Sequence, residues 1–407
     1  MIKVLQNPKT TGKIKAIASK SEVHRLLICA ALSDKRTEIV CENINADIKA
    51  TANCLTALGA EIEYINGVFQ VTPIKSTPES CVLPCGESGS TLRFLMPLVA
   101  AFGCNGIFEL QGRLSQRPLS PLKEELERSG VKIEVLNEEI LVSGKCTKTD
   151  FTISGNVSSQ FISGLMFMLT KTGGKITITD TIESRPYIEM TADTLKSFGC
   201  NIDFSDNIIT VPKTCPLISP KKAESFGDWS NAAFFITAGV IGKEKIPVTS
   251  LDINSRQGDK AIIKVLRDFG AKIEIENNEI IAYPSKLVAH DIDAADIPDL
   301  VPVLAVLASN AKGTTRIYNC SRLRLKESDR IEAVKQMISA LGGKIEINND
   351  DIIITGSPLT GGTVNSQNDH RIAMSAAVAA FSTDEEVKII DAEAVNKSYP
   401  SFWDEIK

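Results

Sequence analysis

Phe269-Gly270-Ala271-Lys272-Ile273-Glu274 ends one kind of structure and begins another. The residues leading to Phe269 are spaced as on a helix, and Gly270 suits the left-handed position that stops one. Lys272-Ile273-Glu274-Ile275 then alternates as a strand does, Asn277-Asn278 turns, and Ile280-Ile281 opens a second strand. The signature recurs at Leu58-Gly59-Ala60-Glu61-Ile62-Glu63, Ser129-Gly130-Val131-Lys132-Ile133-Glu134, Phe198-Gly199-Cys200-Asn201-Ile202-Asp203 and Leu341-Gly342-Gly343-Lys344-Ile345-Glu346. Successive glycines lie 69 to 72 residues apart. Such a period is the mark of a repeated supersecondary unit.

A second pattern shares the period. Ser21, Ser90, Ser159, Ser230, Asp299 and His370 each precede a run of small and apolar residues, and they are spaced by 69 or 71 residues. A helix that is apolar all round must be buried, so six interior helices are expected. The charged, amphipathic stretches Ser120 to Ser129 and Ala261 to Phe269 then belong outside. Units of roughly 68 residues in a βαβαββ order cannot all surround one small core, which points to two domains of three units. The middle boundary is expected in the Pro/Lys-rich stretch Pro212 to Ser225. The first strand region, Ile2 to Lys20, and the hairpin-less last unit are expected to complete one another.

The helix heads carry the chemistry. Lys20-Ser21-Glu22-Val23-His24-Arg25, Gly89-Ser90-Thr91-Leu92-Arg93, Ser158-Ser159-Gln160 and Asn368-Asp369-His370-Arg371 open four of the six. Ordinary capping accounts for Ser21, Ser90 and Ser230. It does not account for Lys20, Arg25, Arg93 and Arg371, because a cation in the first turn opposes the helix dipole. A bound anion explains both features. Two further basic stretches are Arg322-Leu323-Arg324-Leu325-Lys326-Glu327-Ser328-Asp329-Arg330 and the loop Gln111-Gly112-Arg113-Leu114-Ser115-Gln116-Arg117-Pro118. The first reads as an extended segment through Leu325, with Ser328 as the cap of a helix from Arg330; a solvated charged turn is the plain alternative.

Composition narrows the classes. The 407 residues are 43% hydrophobic and 23% charged, as in folded globular proteins. A net charge of −5 and 5% aromatics argue against nucleic acid as a partner. No apolar run suits a membrane span or a signal peptide, so a cytoplasmic protein is expected. The ten cysteines include no Cys-x-x-Cys pair and there are three histidines, so no metal site is expected; the thiols read as small reduced hydrophobes.

Taken together, Lys20-Ser21 through Arg25, Lys326-Glu327-Ser328-Asp329-Arg330 and Asn368-Asp369-His370-Arg371 resemble the 5-enolpyruvylshikimate-3-phosphate synthases, from Lys20 to Lys397. The resemblance implies a two-domain inside-out α/β barrel of six βαβαββ repeats, three per domain. Residues 1–19 plus 226–407 would form one domain and 20–225 the other. The implied reaction moves the enolpyruvyl group of phosphoenolpyruvate to the 5-hydroxyl of shikimate 3-phosphate and releases phosphate. No cofactor is implied, a monomer is expected, and glyphosate is expected as an inhibitor.

Carried over by motif, Lys20, Ser21, Arg25, Ser158, Ser159, Gln160, Ser184, Tyr187, Asp299 and Lys326 would hold shikimate 3-phosphate. Lys20, Gly89, Arg113, Gln160, Arg330, Arg371 and Lys397 would hold phosphoenolpyruvate. The implied catalytic set is Asp299, Glu327, Lys20 and His370. Asp299 would take the hydroxyl proton and Glu327 handle the methylene proton, since the two faces of the reacting centre need a base and an acid. Glu327 sits between two cations, which favours its ionised form, and sequence leaves its way of delivering a proton open. His370 assists or merely caps, and Tyr187 packs near the shikimate ring or in the core. The chain departs from the family at Glu87-Ser88, often Asn-Ala, and at Arg322, commonly Asn. Two other readings compete: the sister UDP-N-acetylglucosamine enolpyruvyl transferases, which usually place a reactive Cys in the loop matching Gln111 to Pro118, and a non-catalytic anion-binding repeat protein.

Overall fold

The computed structural model describes residues 1–407 as two compact units: Met1–Ile17 with Phe226–Lys407, and Ala18–Ser225. Each unit has its own apolar core and three small sheets. The middle sheet of the Ala18–Ser225 unit shows the plan. Strand Ser80–Gly86 leads into the buried helix Gly89–Phe102, and strand Asn105–Leu110 returns parallel to the first. The outer helix Leu122–Glu127 and the hairpin Lys132–Val135/Glu139–Ser143 follow, with Glu139–Ser143 antiparallel to Asn105–Leu110. A parallel pair extended by an antiparallel hairpin recurs in five of the six sheets.

All five repeat glycines take positive φ: Gly59 105°, Gly130 96°, Gly199 86°, Gly270 87° and Gly342 73°. A side chain is strained there, so glycine marks the place where helix gives way to hairpin. In the hairpin that follows Gly270, Asn277 and Asn278 have φ of 50° and 60°, and Ile275 stands opposite Ile280.

The six apolar helices are Lys20–Leu32, Gly89–Phe102, Ser159–Thr172, Trp229–Ile241, Val301–Ser309 and His370–Ala379, and they form the two cores. Each fully buried Leu, Ile or Phe among them contributes about 1.5–3 kcal/mol. Helices Gly89–Phe102 and Ser159–Thr172 touch closely, since a Cβ on Gly164 would lie 2.2 Å from the Arg93 carbonyl oxygen.

Three segments depart from the sequence reading. The stretch Pro212 to Ser225 is not a plain linker: Lys222–Glu224 is a strand parallel to Thr37–Val40, supplying the first strand of the first repeat. Ile2 to Lys20 holds two strands. Ile14–Lys15 pairs with Ile246–Thr249, and Ile2–Leu5 lies antiparallel to Val387–Ile390 where other repeats place their hairpin. The cysteines are not all free, because Cys200 and Cys215 form a buried disulfide with Cα atoms 5.2 Å apart. The glycine turn after Phe198 brings Cys200 against the returning chain, an adjacency that spacing alone does not reveal. No helix is long and apolar enough to cross a membrane.

Candidate functional site

Hydrogen bonds and ion pairs join several of the predicted residues within each unit. In Ala18–Ser225 the true helix caps lie a residue or two before the expected ones. Ser19 and Ser88 accept from the backbone N–H of Glu22 and Thr91, and Ser158 from that of Gln160. This releases Ser90 from capping, so its Oγ instead accepts from Gln160 Nε2 at 2.9 Å. Gln160 Oε1 accepts from Arg93 Nη1 at 2.7 Å, and Arg93 Nη2 reaches the Pro118 carbonyl at 3.2 Å. A chain of hydrogen bonds thus joins two helix heads to the basic loop.

Lys20 Nζ lies 2.8 Å from Asp47 Oδ2, a carboxylate that no sequence pattern marked. Arg25 is buried, and its guanidinium donates to Thr191 Oγ1, the Ser21 carbonyl and the Tyr187 carbonyl. Burial lowers its pKa to about 10. Arg25 therefore fixes the turn carrying Tyr187. Ser184, just before that turn, is buried with φ 54°, a left-handed conformation that costs a non-glycine residue energy. His24 is a core residue: its Nδ1 is 2.7 Å from Thr51 Oγ1, and burial lowers its pKa to about 3.

At Gly89 the neighbouring cation is Arg117. A Cβ on Gly89 would lie 2.8 Å from Arg117 Nη1 and 3.3 Å from Arg93 Nη1. Arg113, four residues earlier, is exposed at the start of a short 3-10 turn. From sequence Arg93 is read only as one of the helix-head cations that suit a bound anion, and Arg117 only as part of a basic loop. The signal available was the period, which sets Arg93 in the first turn of a buried helix.

The second cluster centres on Asp299, in the 3-10 turn Pro298–Leu300 that enters helix Val301–Ser309. Its Oδ1 accepts from Arg330 Nη1 at 2.7 Å and Lys326 Nζ at 3.2 Å, and its Oδ2 from Arg371 Nη2 at 3.1 Å. Burial raises the Asp299 pKa, but Arg371, Lys326 and Arg330 outweigh it and hold the carboxyl well below its usual range. Burial in turn lowers the Lys326 ammonium to about 8, although Asp299 pulls the other way.

Arg330 is 1% exposed and meets three carboxylates: Asp299, Glu327 Oε2 at 2.6 Å and Asp369 Oδ2 at 2.8 Å. Against the opposing effect of burial, these raise its pKa further. Lys397 Nζ is 3.8 Å from Glu327 Oε1. His370 is buried at the head of its helix, with Nδ1 3.9 Å from Asp369 Oδ1.

Expectations for this run change in two respects. Ser321–Leu325 is a 3-10 helix rather than an extended segment, which turns Arg324 outward to Asp350 and Asp329 while Arg322 donates to the Ala295 carbonyl. Asp329, not Ser328, caps the helix Arg330–Ala340, and Ser328 donates instead to Asp369 at 2.9 Å. Ser230 likewise does not cap its helix. Asp228 does, and Ser230 donates to the buried carboxyl of Asp259. Asp228 and Asp259 escaped the sequence reading, and Asp369 had no role beyond its motif, because acids at helix starts look like ordinary caps.

Comparison with known proteins finds relatives over nearly the whole chain. The family model described as EPSP synthase (3-phosphoshikimate 1-carboxyvinyltransferase) matches residues 5–406. A protein of Clostridium novyi named 3-phosphoshikimate 1-carboxyvinyltransferase is 41% identical, with 99% of this chain and 95% of the relative covered. One of the same name from Clostridium kluyveri is 39% identical over 98% of this chain and 96% of its own. The fold matches that of the EPSP synthase from Acinetobacter baumannii with a TM-score of 0.83 at 24% identity, covering 100% of this chain and 99% of the other. It also matches that of the enolpyruvyl transferase NikO from Streptomyces tendae, with a TM-score of 0.78 at 16% identity and 100% and 98% covered. The chain belongs to the EPSP synthase (3-phosphoshikimate 1-carboxyvinyltransferase) family.

Proposed function

We propose that the protein transfers the enolpyruvyl group of phosphoenolpyruvate to the 5-hydroxyl of shikimate 3-phosphate and releases inorganic phosphate. The observation that carries this reading is Asp299: one carboxylate drawing Lys326, Arg330 and Arg371 around it. Three cations about one general base suit a reaction between two anions.

A carboxylate held ionised accepts a proton, so Asp299 takes the proton of the 5-hydroxyl as that oxygen attacks C2 of phosphoenolpyruvate. The methylene carbon gains a proton in the addition and loses one as phosphate leaves, and Glu327 beside Lys397 is its proposed handler. Lys20, Gly89, Gln160, Arg330, Arg371 and Lys397 are proposed to hold phosphoenolpyruvate. Arg117 joins them, with Arg113 as an outer cation. Lys20, Ser21, Arg25, Ser158, Ser159, Gln160, Ser184, Tyr187, Asp299 and Lys326 are proposed for shikimate 3-phosphate, Arg25 through the Tyr187 turn it fixes. His370 orients this set from the helix start. Glyphosate is proposed to compete with phosphoenolpyruvate, and the working form is proposed to be a cytoplasmic monomer.

The test is phosphate release from phosphoenolpyruvate, with and without shikimate 3-phosphate. Release that needs both substrates, and that Asp299→Ala lowers at least 100-fold, supports the reading. Absence of release with both present refutes it.

A further inference from the structure

Asp259 is a buried carboxyl that the reaction as described does not use. It sits in the 3-10 turn Gly258–Ala261 with no exposed surface. Its Oδ2 accepts from Ser230 Oγ, while its Oδ1 is buried without a hydrogen-bond partner. Arg371 shows the complementary deficit, since its Nε and Nη1 are buried and unpartnered while Nη2 alone reaches Asp299. Unsatisfied buried polar groups are rare and call for a reason. The turn and the helix His370–Ala379 both pack on the helix Trp229–Ile241, and Asp259 and Arg371 act on each other electrostatically.

We propose that Asp259 is a positioning residue of the transfer centre: anchored by Ser230, it supplies a buried negative charge that competes with the substrate anion for Arg371. This rests on the proposed function and adds a residue to it. The charges facing Asp259 are Asp228 from the cap of helix Trp229–Ile241, Asp299 from the turn Pro298–Leu300, and Arg371 from helix His370–Ala379. On its own turn Lys260 points away to the Ile253 carbonyl, and on the next helix Lys264 and Asp268 pair with each other at the surface. Burial, with Asp299 and Asp228 adding to it against Arg371 and the Ser230 hydrogen bond, pushes the Asp259 carboxyl up to about 7. Above that pH Asp259 is ionised and offsets Arg371; below it Asp259 is neutral and leaves Arg371 to the anion.

The test measures KM for each substrate between pH 6 and 8.5 in the wild type, Asp259→Asn and Ser230→Ala. Ionisation of phosphoenolpyruvate and of Lys326 is common to all three, so the ratio of wild-type to Asp259→Asn KM isolates the carboxyl. That ratio is expected to rise severalfold with pH for phosphoenolpyruvate and to stay flat for shikimate 3-phosphate. Ser230→Ala removes the hydrogen bond that favours the ionised form, so its KM rise is expected at higher pH. A ratio independent of pH overturns the proposal, as does a rise for both substrates alike. Should Asp259→Asn not fold, an unshifted profile in Ser230→Ala overturns it alone. An inactive wild type refutes the proposed function, whereas an active wild type with a flat ratio refutes only the role of Asp259.

Discussion

Asp369→Asn tests how the second cluster is held together. Asp369 is fully buried and accepts from Arg330 Nε at 2.8 Å, Arg330 Nη2 at 3.3 Å, Ser328 Oγ at 2.9 Å and the Arg371 backbone N–H at 2.9 Å. Asparagine keeps the shape but removes the charge opposite a guanidinium that is 1% exposed. Breaking a buried ion pair from one side costs about 3–5 kcal/mol. Arg330 keeps Asp299 and Glu327, so the lower end, about 3 kcal/mol, is expected. At ~2–4 °C per kcal/mol for a unit of this size, the melting temperature should fall by about 6–12 °C. Both tryptophans, Trp229 and Trp403, lie in the unit that holds Asp369, so tryptophan fluorescence during urea or thermal unfolding reports on it directly. A loss below about 0.5 kcal/mol would show that the other two carboxylates suffice and that Asp369 does not organise the cluster.

Three other outcomes are expected. Lys326 has its pKa lowered to about 8 in the folded protein, so turnover that needs its charge should fall as pH rises through 8; Lys326→Arg stays charged and should lose that limb, and an unchanged pH profile would count against it. His24 is held neutral with a pKa of about 3, below its unfolded 6.5, so its stabilising effect is complete above pH 6.5 and is lost as pH falls toward 3. His24→Gln should flatten the dependence of stability on pH between 6.5 and 3, by a few kcal/mol at most, in acid-unfolding curves. Gly89→Ala should leave the fold intact, because its Cβ meets the movable end of Arg117 at 2.8 Å. Displacing that guanidinium should raise the KM for phosphoenolpyruvate severalfold and the glyphosate inhibition constant further, and equal losses for the two ligands would refute a pocket role for Gly89.

The repeat was legible because its two signals are local and each has a single physical cause. Positive φ at Gly59, Gly130, Gly199, Gly270 and Gly342 needs glycine, and helices such as Leu300 to Ala308 are too apolar to lie anywhere but inside. What local pattern could not give was the partner of each polar group. Ser230 read as a cap because any serine before an apolar helix does; the actual cap, Asp228, leaves it free to meet Asp259, 29 residues on. Arg113 and Arg117 are equivalent as sequence, and only the turn at Leu114–Gln116 sets the second against Gly89. The Cys200–Cys215 bond was hidden for the same reason. Arg371 stood out because a cation in the first turn of a helix opposes its dipole, whereas Asp299, Lys326 and Arg330 entered only through the motif resemblance, since a charged run by itself reads equally well as a solvated turn.

The strand exchange at the chain's beginning bears on how the protein is made. Ile2–Leu5 and Ile14–Lys15 are synthesised before the Ala18–Ser225 unit, yet their partners Val387–Ile390 and Ile246–Thr249 emerge only after it. The Ala18–Ser225 unit, by contrast, has every strand it needs once Glu224 has left the ribosome. Its two ends leave the other unit side by side, where the Asp228 N–H meets the Ile17 carbonyl at 2.7 Å. It is therefore a complete insertion that can fold during translation, while the first seventeen residues wait as two unpaired edges exposed to aggregation. Both edges are guarded: Lys3 stands within the first strand, and Lys13 and Lys15 at the second, so the early chain carries charges that discourage pairing with another molecule.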